Sequence, residues 1–401
     1  AEALRAEGFD GRLLLVGDED ERPYDRPPLS KAYLRGETDR ASLYVHDEGF
    51  YAAHDIELRT STPVRSIDLA GRRLALASGE RIGYHRLLLT TGAAPRRLSL
   101  PGADLDGVHY LRSRHDADVL AAAAARAEHV VVVGTGWIGS EAAASLRQLG
   151  RQVTLVGPDT APLARVLGPE VAGVYRALHA DHGVRLVLGT RVAGFRGNAR
   201  VEAVVTDRGD AIEGDLVLVG TGAAPRTGLA EAAGLPVRNG VLVNEQLQAV
   251  GAAGIYAAGD VAAAWHPRYQ TYLRVEHWAN ALNQGPAAAR NMLGIETPYA
   301  RLPYFYSDQY DLGMEYSGLA INWDQVVLRG DPATRAFVAF WLKERRVVAG
   351  MNAGVWDVTE SIQTLIRAGR PVDAERLADP DIPLDQATGD PSGAPAAMSL
   401  R

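Results

Sequence analysis

Six residues, Gly134-Thr135-Gly136-Trp137-Ile138-Gly139, sit between an apolar run, EHVVVVG, and an alanine-rich stretch, SEAAASLRQLG. A Gly-x-Gly-x-x-Gly that leaves a strand and opens a helix lets a backbone approach a pyrophosphate. Gly134 permits the tight turn, Gly136 clears the path of the phosphates, and Gly139 lets helix and strand pack closely. The helix then directs its positive end at the anion. The next run, RQVTLVGPDT, supplies the second strand of the unit. In an NAD-binding unit that strand usually ends in an acid that holds the adenine-ribose hydroxyls. Here Gly157 takes the place, with Asp159 two residues on and Arg165 downstream. Asp159 either substitutes for the acid or is a loop residue. Arg165 suits ribose hydroxyls or a 2′-phosphate, so NADH and NADPH both stay open.

Two further signatures carry polar chemistry. GIYAAGDVA ends a short strand in Gly259-Asp260, an arrangement that directs a carboxylate to the ribityl hydroxyls of a flavin. PYDRPPLSKAYLRG places two prolines in an extended turn, with Ser30 as a candidate cap for a following helix. Its Arg26 and Lys31 are either site residues or the solvated charges of a rigid loop.

The elements that must position these groups follow from the pattern. Short Val/Leu strands alternate with alanine-rich helices through Gly259, which implies an α/β class with parallel sheets. The hexapeptide TGAAPR occurs at Thr91–Arg96 and again at Thr221–Arg226, each time after an apolar strand. Two homologous nucleotide-binding domains would leave their last strands in this way; so would two merely similar loops. Past Pro298 the texture becomes aromatic and strand-like, with a hairpin in RAFVAFWLKERRVVAGMNAGV and a helix in DVTESIQTLIRAG, as expected of an α+β domain. From Pro371 onward Pro, Asp, Ala and Ser dominate, and the last ~15 residues read as a disordered tail.

Composition excludes several classes. The 401 residues contain no cysteine, which removes disulfides, thiolate metal sites and cysteine-pair redox chemistry. No metal site is expected. The net charge of −7 gives no pull toward nucleic acid, and no apolar run reaches the length of a bilayer span. A cytoplasmic protein with no membrane partner is the expectation.

Taken in order, LVGDE, PYDRPPLSK, GTGWIGSE, IYAAGDV, EHWANALNQG, YFYSDQYDLGMEYSG and MNAGVWDV resemble the FAD-dependent ferredoxin reductases of bacterial oxygenase chains. These are the putidaredoxin reductase-like members of the pyridine nucleotide-disulfide oxidoreductase superfamily, without redox cysteines. The resemblance implies a glutathione-reductase-like fold with two dinucleotide-binding domains and a C-terminal α+β domain. An FAD domain would span 1–108 and 226–297, an NAD(P) domain 109–225, the C-terminal domain 298–372, and an extended tail 373–401. By position it implies that Asp18 meets the adenosine ribose of FAD. Arg26, Lys31, Val64, Thr91, Gly92 and Arg112 would line the flavin site, and Gly259 and Asp260 would hold the ribityl chain. Trp278 would pack near the dimethylbenzene side, and Tyr306 would stand at the flavin edge facing the acceptor. Gly134, Gly136, Ile138, Gly139, Arg165 and Gly222 would complete the nucleotide contacts. Lys31 and Glu141 would flank the flavin N5, with Trp137 stacking over the ring; packing of helix on sheet is the other role open to Trp137. His277, beside Glu276, reads as a core histidine.

The implied activity moves electrons from NADH or NADPH through FAD, one at a time, to a 2Fe–2S ferredoxin. That ferredoxin would serve an oxygenase, a cytochrome P450 among the candidates. Disulfide reductases, peroxidases and NADH oxidases of this fold need a cysteine beside the flavin, and this chain has none. A flavin-free NAD(P)-binding remnant, or an NADH-binding flavoprotein similar to apoptosis-inducing factor, remains as an alternative. Lys343, Arg345 and Arg346 are a candidate basic patch for an acidic ferredoxin, or simply solvated charges at a turn.

Members of the resembled family begin with a strand and a Gly-x-Gly-x-x-Gly turn that lead into a helix. This chain starts within the helix, at AEALRAEGFDG. The expectation is an N-terminally truncated sequence whose 401 residues alone would bind FAD weakly.

Overall fold

The computed structural model describes residues 1–388. They form two compact units. One comprises Ala1–Leu98, Tyr110–Ala122 and Thr221–Arg301; the other comprises Ser99–His109, Ala123–Gly220 and the chain from Leu302 on. No helix of the described residues is long and apolar enough to cross a membrane.

The second unit contains a five-stranded parallel sheet in the order Arg185–Leu188, Gln152–Gly157, His129–Val133, Leu216–Val219, Val108–His109. Strands covered on both faces read as unbroken apolar runs. Val130, Val131 and Val132 in the middle strand are accordingly fully buried. The helix Trp137–Gln148 buries Leu146 together with Ala142, Ala143 and Ala144, three small residues that allow close approach to the sheet.

The same unit carries an antiparallel sheet in the order Tyr304–Gln309, Leu312–Gly318, Arg346–Ala353, Ala336–Lys343, Gln325–Asp331. Strand alternation divides its side chains between two cores. Phe337, Ala339 and Trp341 pack with Leu167, Val171 and Tyr175 of the helix Ala164–Asp181. Val338, Phe340 and Leu342 pack with Ile362, Leu365 and Ile366 of the helix Thr359–Ala368. The hairpin turns at Glu344 and Arg345, both at positive φ (48° and 62°), the geometry of a two-residue turn matched to strand twist.

One expectation fails here. The run from 373, read as an extended tail, folds back on this sheet. Asp373 accepts the backbone N–H groups of Glu375 and Arg376 and so caps the helix Ala374–Ala378. Leu377 and Ala387 are then fully buried beside Ile362. Two apolar side chains and one cap outweigh a composition dominated by Pro and Asp. The rest of the expected tail, 389–401, lies outside the described residues.

The first unit is built of smaller sheets. Leu13–Val16 pairs in parallel with Ile56–Arg59, and Leu87–Leu89 with Ile255–Ala257. Val64–Asp68, Arg73–Leu76 and Arg81–Gly83 form an antiparallel meander. Its core gathers Val241, Val243, Leu247, Ile255, Ala257 and Ala288, the last from the helix Trp278–Met292. Ser30 corrects a second expectation: it ends the 3₁₀ turn Pro27–Ser30, and no helix follows for it to cap. The consecutive prolines favour that tight turn, and the chain continues through Gly36 in further turns.

The two copies of TGAAPR pair with each other. Ala223 faces Pro95, Ala224 faces Ala94, and Pro225 faces Ala93 in an antiparallel ribbon. Arg96 N–H donates to the Gly222 carbonyl at 2.9 Å, and Arg226 N–H to the Gly92 carbonyl at 2.8 Å. Thr91 Oγ1 reaches the Arg226 carbonyl and Thr221 Oγ1 the Arg96 carbonyl, at 2.8 and 3.3 Å. The ribbon therefore has local two-fold symmetry. Equal positions on its two strands meet equal surroundings, which is a physical reason for the two sequences to be the same.

Candidate functional site

In the second unit the glycine turn has the geometry that its spacing predicts. Gly134 has φ +110°, where residues with a side chain are strained. A Cβ on Gly139 would lie 2.0 Å from the Gly134 carbonyl oxygen, so only glycine lets this helix meet this turn. A Cβ on Gly136 would meet nothing within 4 Å. No side chain caps the helix Trp137–Gln148, which leaves its first N–H groups and its dipole with the geometry that suits an anion.

Just past the end of the neighbouring strand, Asp159 is held from two sides. Thr135 Oγ1 donates to Asp159 Oδ2 at 3.2 Å, and Arg165 Nε donates to Asp159 Oδ1 at 2.6 Å. Ile138 is exposed next to the open turn. Trp137 is half-buried, its ring edge-on to Phe305 at 4.8 Å and to Tyr175 at 6.2 Å.

Glu141, one turn along the same helix, is buried, and Ser307 Oγ donates to its Oε1 at 2.7 Å. The Tyr175 phenol is pushed up by burial, then by the charges of Glu141 and Asp308, and stays neutral. Strand alternation puts Phe305, Ser307 and Gln309 on one face and half-buried Tyr306 on the other. Gln309 Oε1 meets His179 Nε2 at 3.0 Å. Burial pushes His179 down to about 4, so it is neutral near pH 7.

In the first unit, residues far apart in sequence form a connected arc. Arg226 Nη1 donates to Asp18 Oδ2 at 3.2 Å. The Arg226 carbonyl accepts from Thr91, and the next residue, Gly92, lies against Arg112: a Cβ there would come 3.2 Å from Arg112 Nη2. Arg112 Nη2 donates to Asp260 Oδ2 at 2.8 Å, and only 11% of the Asp260 side chain is exposed. Gly259 has φ +74°, and its N–H donates to Gln284 Oε1 at 2.8 Å. Arg26 donates to the Arg112 carbonyl at 2.8 Å and to Glu19 Oε1 at 2.5 Å. Burial works to raise the Glu19 carboxyl, but hydrogen bonds from Tyr24 and Arg26 hold it below its ordinary range.

The remaining expected residues of this unit lie nearby in the chain. Lys31 Nζ donates to the Pro27 carbonyl at 3.2 Å, and Val64 opens its strand half-buried. Trp278 Nε1 donates to Asp25 Oδ1 at 2.6 Å from the start of its helix. His277 is pushed down to about 4 by burial, with Asp260 pulling the other way, as suits a neutral core histidine.

The arc thus joins Asp18, Thr91, Gly92, Arg112 and Asp260. Lys31 falls in the first unit, and Glu141 and Trp137 in the second. The sequence reading missed several supporting residues. Arg226 was detectable, because it ends the second TGAAPR as Arg96 ends the first. Glu19, Gln284, Thr135 and Ser307 act through contacts made only in space, and no local pattern marks them.

A parallel sheet with an open glycine turn, together with an arc of guanidinium and carboxylate groups, defines a nucleotide-dependent oxidoreductase. Guanidinium groups suit a diphosphate, and the paired carboxylates suit the sugar and polyol hydroxyls on either side of it. This donor set fits FAD, as the turn fits NAD(P)H.

The chain belongs to the pyridine nucleotide-disulphide oxidoreductase family, whose model matches residues 1–285, and a reductase C-terminal model matches 304–388. It is 39% identical over 390 residues to the anthranilate 1,2-dioxygenase system ferredoxin–NAD(+) reductase component of Burkholderia cepacia, covering 96% of this chain and 95% of that one. A solved ferredoxin reductase for the CYP199A2 system from Rhodopseudomonas palustris is 37% identical, with a TM-score of 0.93 over 97% of this chain and 96% of that one. The putidaredoxin reductase of its covalent complex with putidaredoxin is 34% identical, with a TM-score of 0.91 over 96% and 94%. The fold is the mixed α/β fold of these reductases, with their C-terminal domain.

Proposed function

We propose that this chain is an NAD(P)H:ferredoxin oxidoreductase that passes electrons through FAD, one at a time, to a 2Fe–2S ferredoxin serving an oxygenase. A cytochrome P450 is one candidate for that oxygenase. The observation that carries the reading is 39% identity across 96% of the chain to a ferredoxin–NAD(+) reductase component. The absence of cysteine supports it, because a flavin without a cysteine partner must hand its electrons to an external acceptor.

FAD bound here would supply the chemistry, accepting two electrons from NAD(P)H and releasing them singly, while the protein supplies binding and orientation. Asp18 would accept hydrogen bonds from the adenosine ribose, and Asp260 from the ribityl hydroxyls. Arg26 and Arg112 would counter the diphosphate, while Thr91, Gly92, Val64, Gly259 and Trp278 would shape the rest of the site. Lys31 supplies a cation toward the flavin, and Tyr306 an aromatic surface toward the acceptor. Gly134, Gly136, Ile138 and Gly139 receive the nicotinamide dinucleotide, with Gly222 and Arg165 adding contacts. Ser307 orients Glu141; Glu141 and Trp137 in one unit and Lys31 in the other are the residues assigned to catalysis. The assigned domains are 1–108 and 226–297 for FAD, 109–225 for NAD(P)H and 298–388 for the C-terminal domain, which takes in the helix Ala374–Ala378. The reaction is assigned to the cytoplasm, where NAD(P)H is supplied.

The test is an absorbance spectrum of the purified chain with FAD, taken before and after anaerobic NADH or NADPH. Cytochrome c reduction is then followed with and without a 2Fe–2S ferredoxin. Flavin bands that bleach, and cytochrome reduction that needs the ferredoxin, are the expected result. Flavin bands that neither NADH nor NADPH bleaches in the chain saturated with FAD would overturn the reading.

A further inference from the structure

The fingerprint turn decides where the ribose-facing acid stands. A Cβ on Gly157 would lie 2.7 Å from Thr135 Cγ2 and 3.0 Å from its Oγ1. Thr135 is itself buried, and its carbonyl accepts the Leu163 N–H at 2.9 Å. While Thr135 keeps this place, no acid fits at 157. The same threonine supports an acid two residues on, donating to Asp159 Oδ2 at 3.2 Å. The Asp159 main chain is pinned as well, its carbonyl accepting from Gly189 N–H at 3.0 Å. Arg165 Nε occupies the other carboxylate oxygen at 2.6 Å.

The two partners differ in access. The Asp159 side chain is 19% exposed and that of Arg165 is 70% exposed. The two terminal nitrogens of Arg165 make no hydrogen bond among the described residues. A lone carboxylate at the ribose favours the hydroxyls of NADH and repels the 2′-phosphate of NADPH. A carboxylate paired with a guanidinium carries no net charge, and the free fork of the guanidinium matches a phosphate. Arg165 sits in the first turn of the helix Ala164–Asp181, so only its side chain has to swing.

We propose that the Asp159–Arg165 pair makes this chain accept both NADH and NADPH, Asp159 holding the ribose hydroxyls and Arg165 the 2′-phosphate. This rests on the reading of Gly134–Gly139 as the dinucleotide turn.

The experiment is calorimetric titration of the whole chain with ADP-ribose and with adenosine 2′,5′-bisphosphate, repeated on Arg165→Ala and Asp159→Asn. The unaltered chain binds both probes. Arg165→Ala weakens the bisphosphate about tenfold or more and leaves ADP-ribose within about threefold, the size expected of one charge-assisted contact. Asp159→Asn weakens ADP-ribose about tenfold and spares the bisphosphate. Equal loss of both probes in Arg165→Ala, or no loss of the bisphosphate, overturns the proposal. An unaltered chain that binds ADP-ribose alone also overturns it, while leaving the dinucleotide reading intact. Binding of neither probe overturns that reading itself.

Discussion

Arg112 and Asp260 lie 148 residues apart in the chain and 2.8 Å apart in the fold. A half-buried ion pair of this kind adds little stability by itself, because desolvation offsets much of the attraction. Its value is positional: Asp260 sits on a short turn and is aimed by Arg112. Asp260→Asn keeps the shape and removes the charge. It should raise the dissociation constant for FAD about tenfold, the loss of one charge-assisted hydrogen bond. A flavin fluorescence titration measures this, and an unchanged constant would take Asp260 out of the site. The arc also explains why Gly92 is glycine, since a methyl group there would press on the guanidinium that holds Asp260.

Elements make sharper demands than single contacts do. Gly136 and Gly139 belong to one motif, but the fold constrains them differently. Gly139→Ala drives a methyl group onto a backbone carbonyl that cannot yield; a loss of about 1–3 kcal/mol in stability is expected, alongside weaker nucleotide binding. Gly136→Ala meets empty space, so stability should hold within about 0.5 kcal/mol while ADP-ribose binding falls. Denaturant melts run beside calorimetry separate the two, and equal destabilisation would contradict the assigned roles. On the C-terminal hairpin, Lys343 and Arg346 face each other across the strands, whereas Arg345 donates to the Val372 carbonyl. Reversing Lys343 and Arg346 to Glu, with Arg345 left in place, should raise the KM for an acidic ferredoxin severalfold. Ferricyanide reduction should not change. Equal loss with both acceptors would instead mean a damaged sheet.

For the whole molecule the clearest global consequence is acid sensitivity. His179 is fully buried, with its pKa lowered to about 4 from an ordinary value of 6.5. The unfolded chain therefore binds a proton that the folded chain refuses between those values. Stability is full above pH 6.5 and is lost as pH falls toward 4, by about 3 kcal/mol for this residue. The carboxylate Glu21 adds a lower step. Burial raises its pKa, but hydrogen bonds from Tyr44, Arg40 and Arg114 outweigh that and hold it below 4.5, so its contribution disappears as pH falls below that value. Thermal unfolding followed from pH 7 to 4 should show the decline. His179→Gln should flatten the part above pH 4, and an unchanged profile would mean that His179 takes up its proton in the folded state.

The two nucleotide motifs and the C-terminal sheet were legible in the sequence, because each depends on neighbours within about thirty residues. Strand, glycine turn and helix follow from local sterics, and alternating residues in AFVAFWLK already separate the two faces of a sheet. The repeated TGAAPR was visible, but not that its copies pair with each other. The unexpected helix at Ala374–Ala378 depends on burying Leu377, which local composition does not encode. The surroundings of Asp159 were not legible either, because they depend on Thr135 filling the space beside Gly157 and turning its hydroxyl to a carboxylate two residues further on. Sequence patterns carry the periodicities of strands and helices and the spacing of turns. Which side chains meet across tens or hundreds of residues is decided by packing, and in this chain those meetings orient Asp18, Asp159 and Asp260.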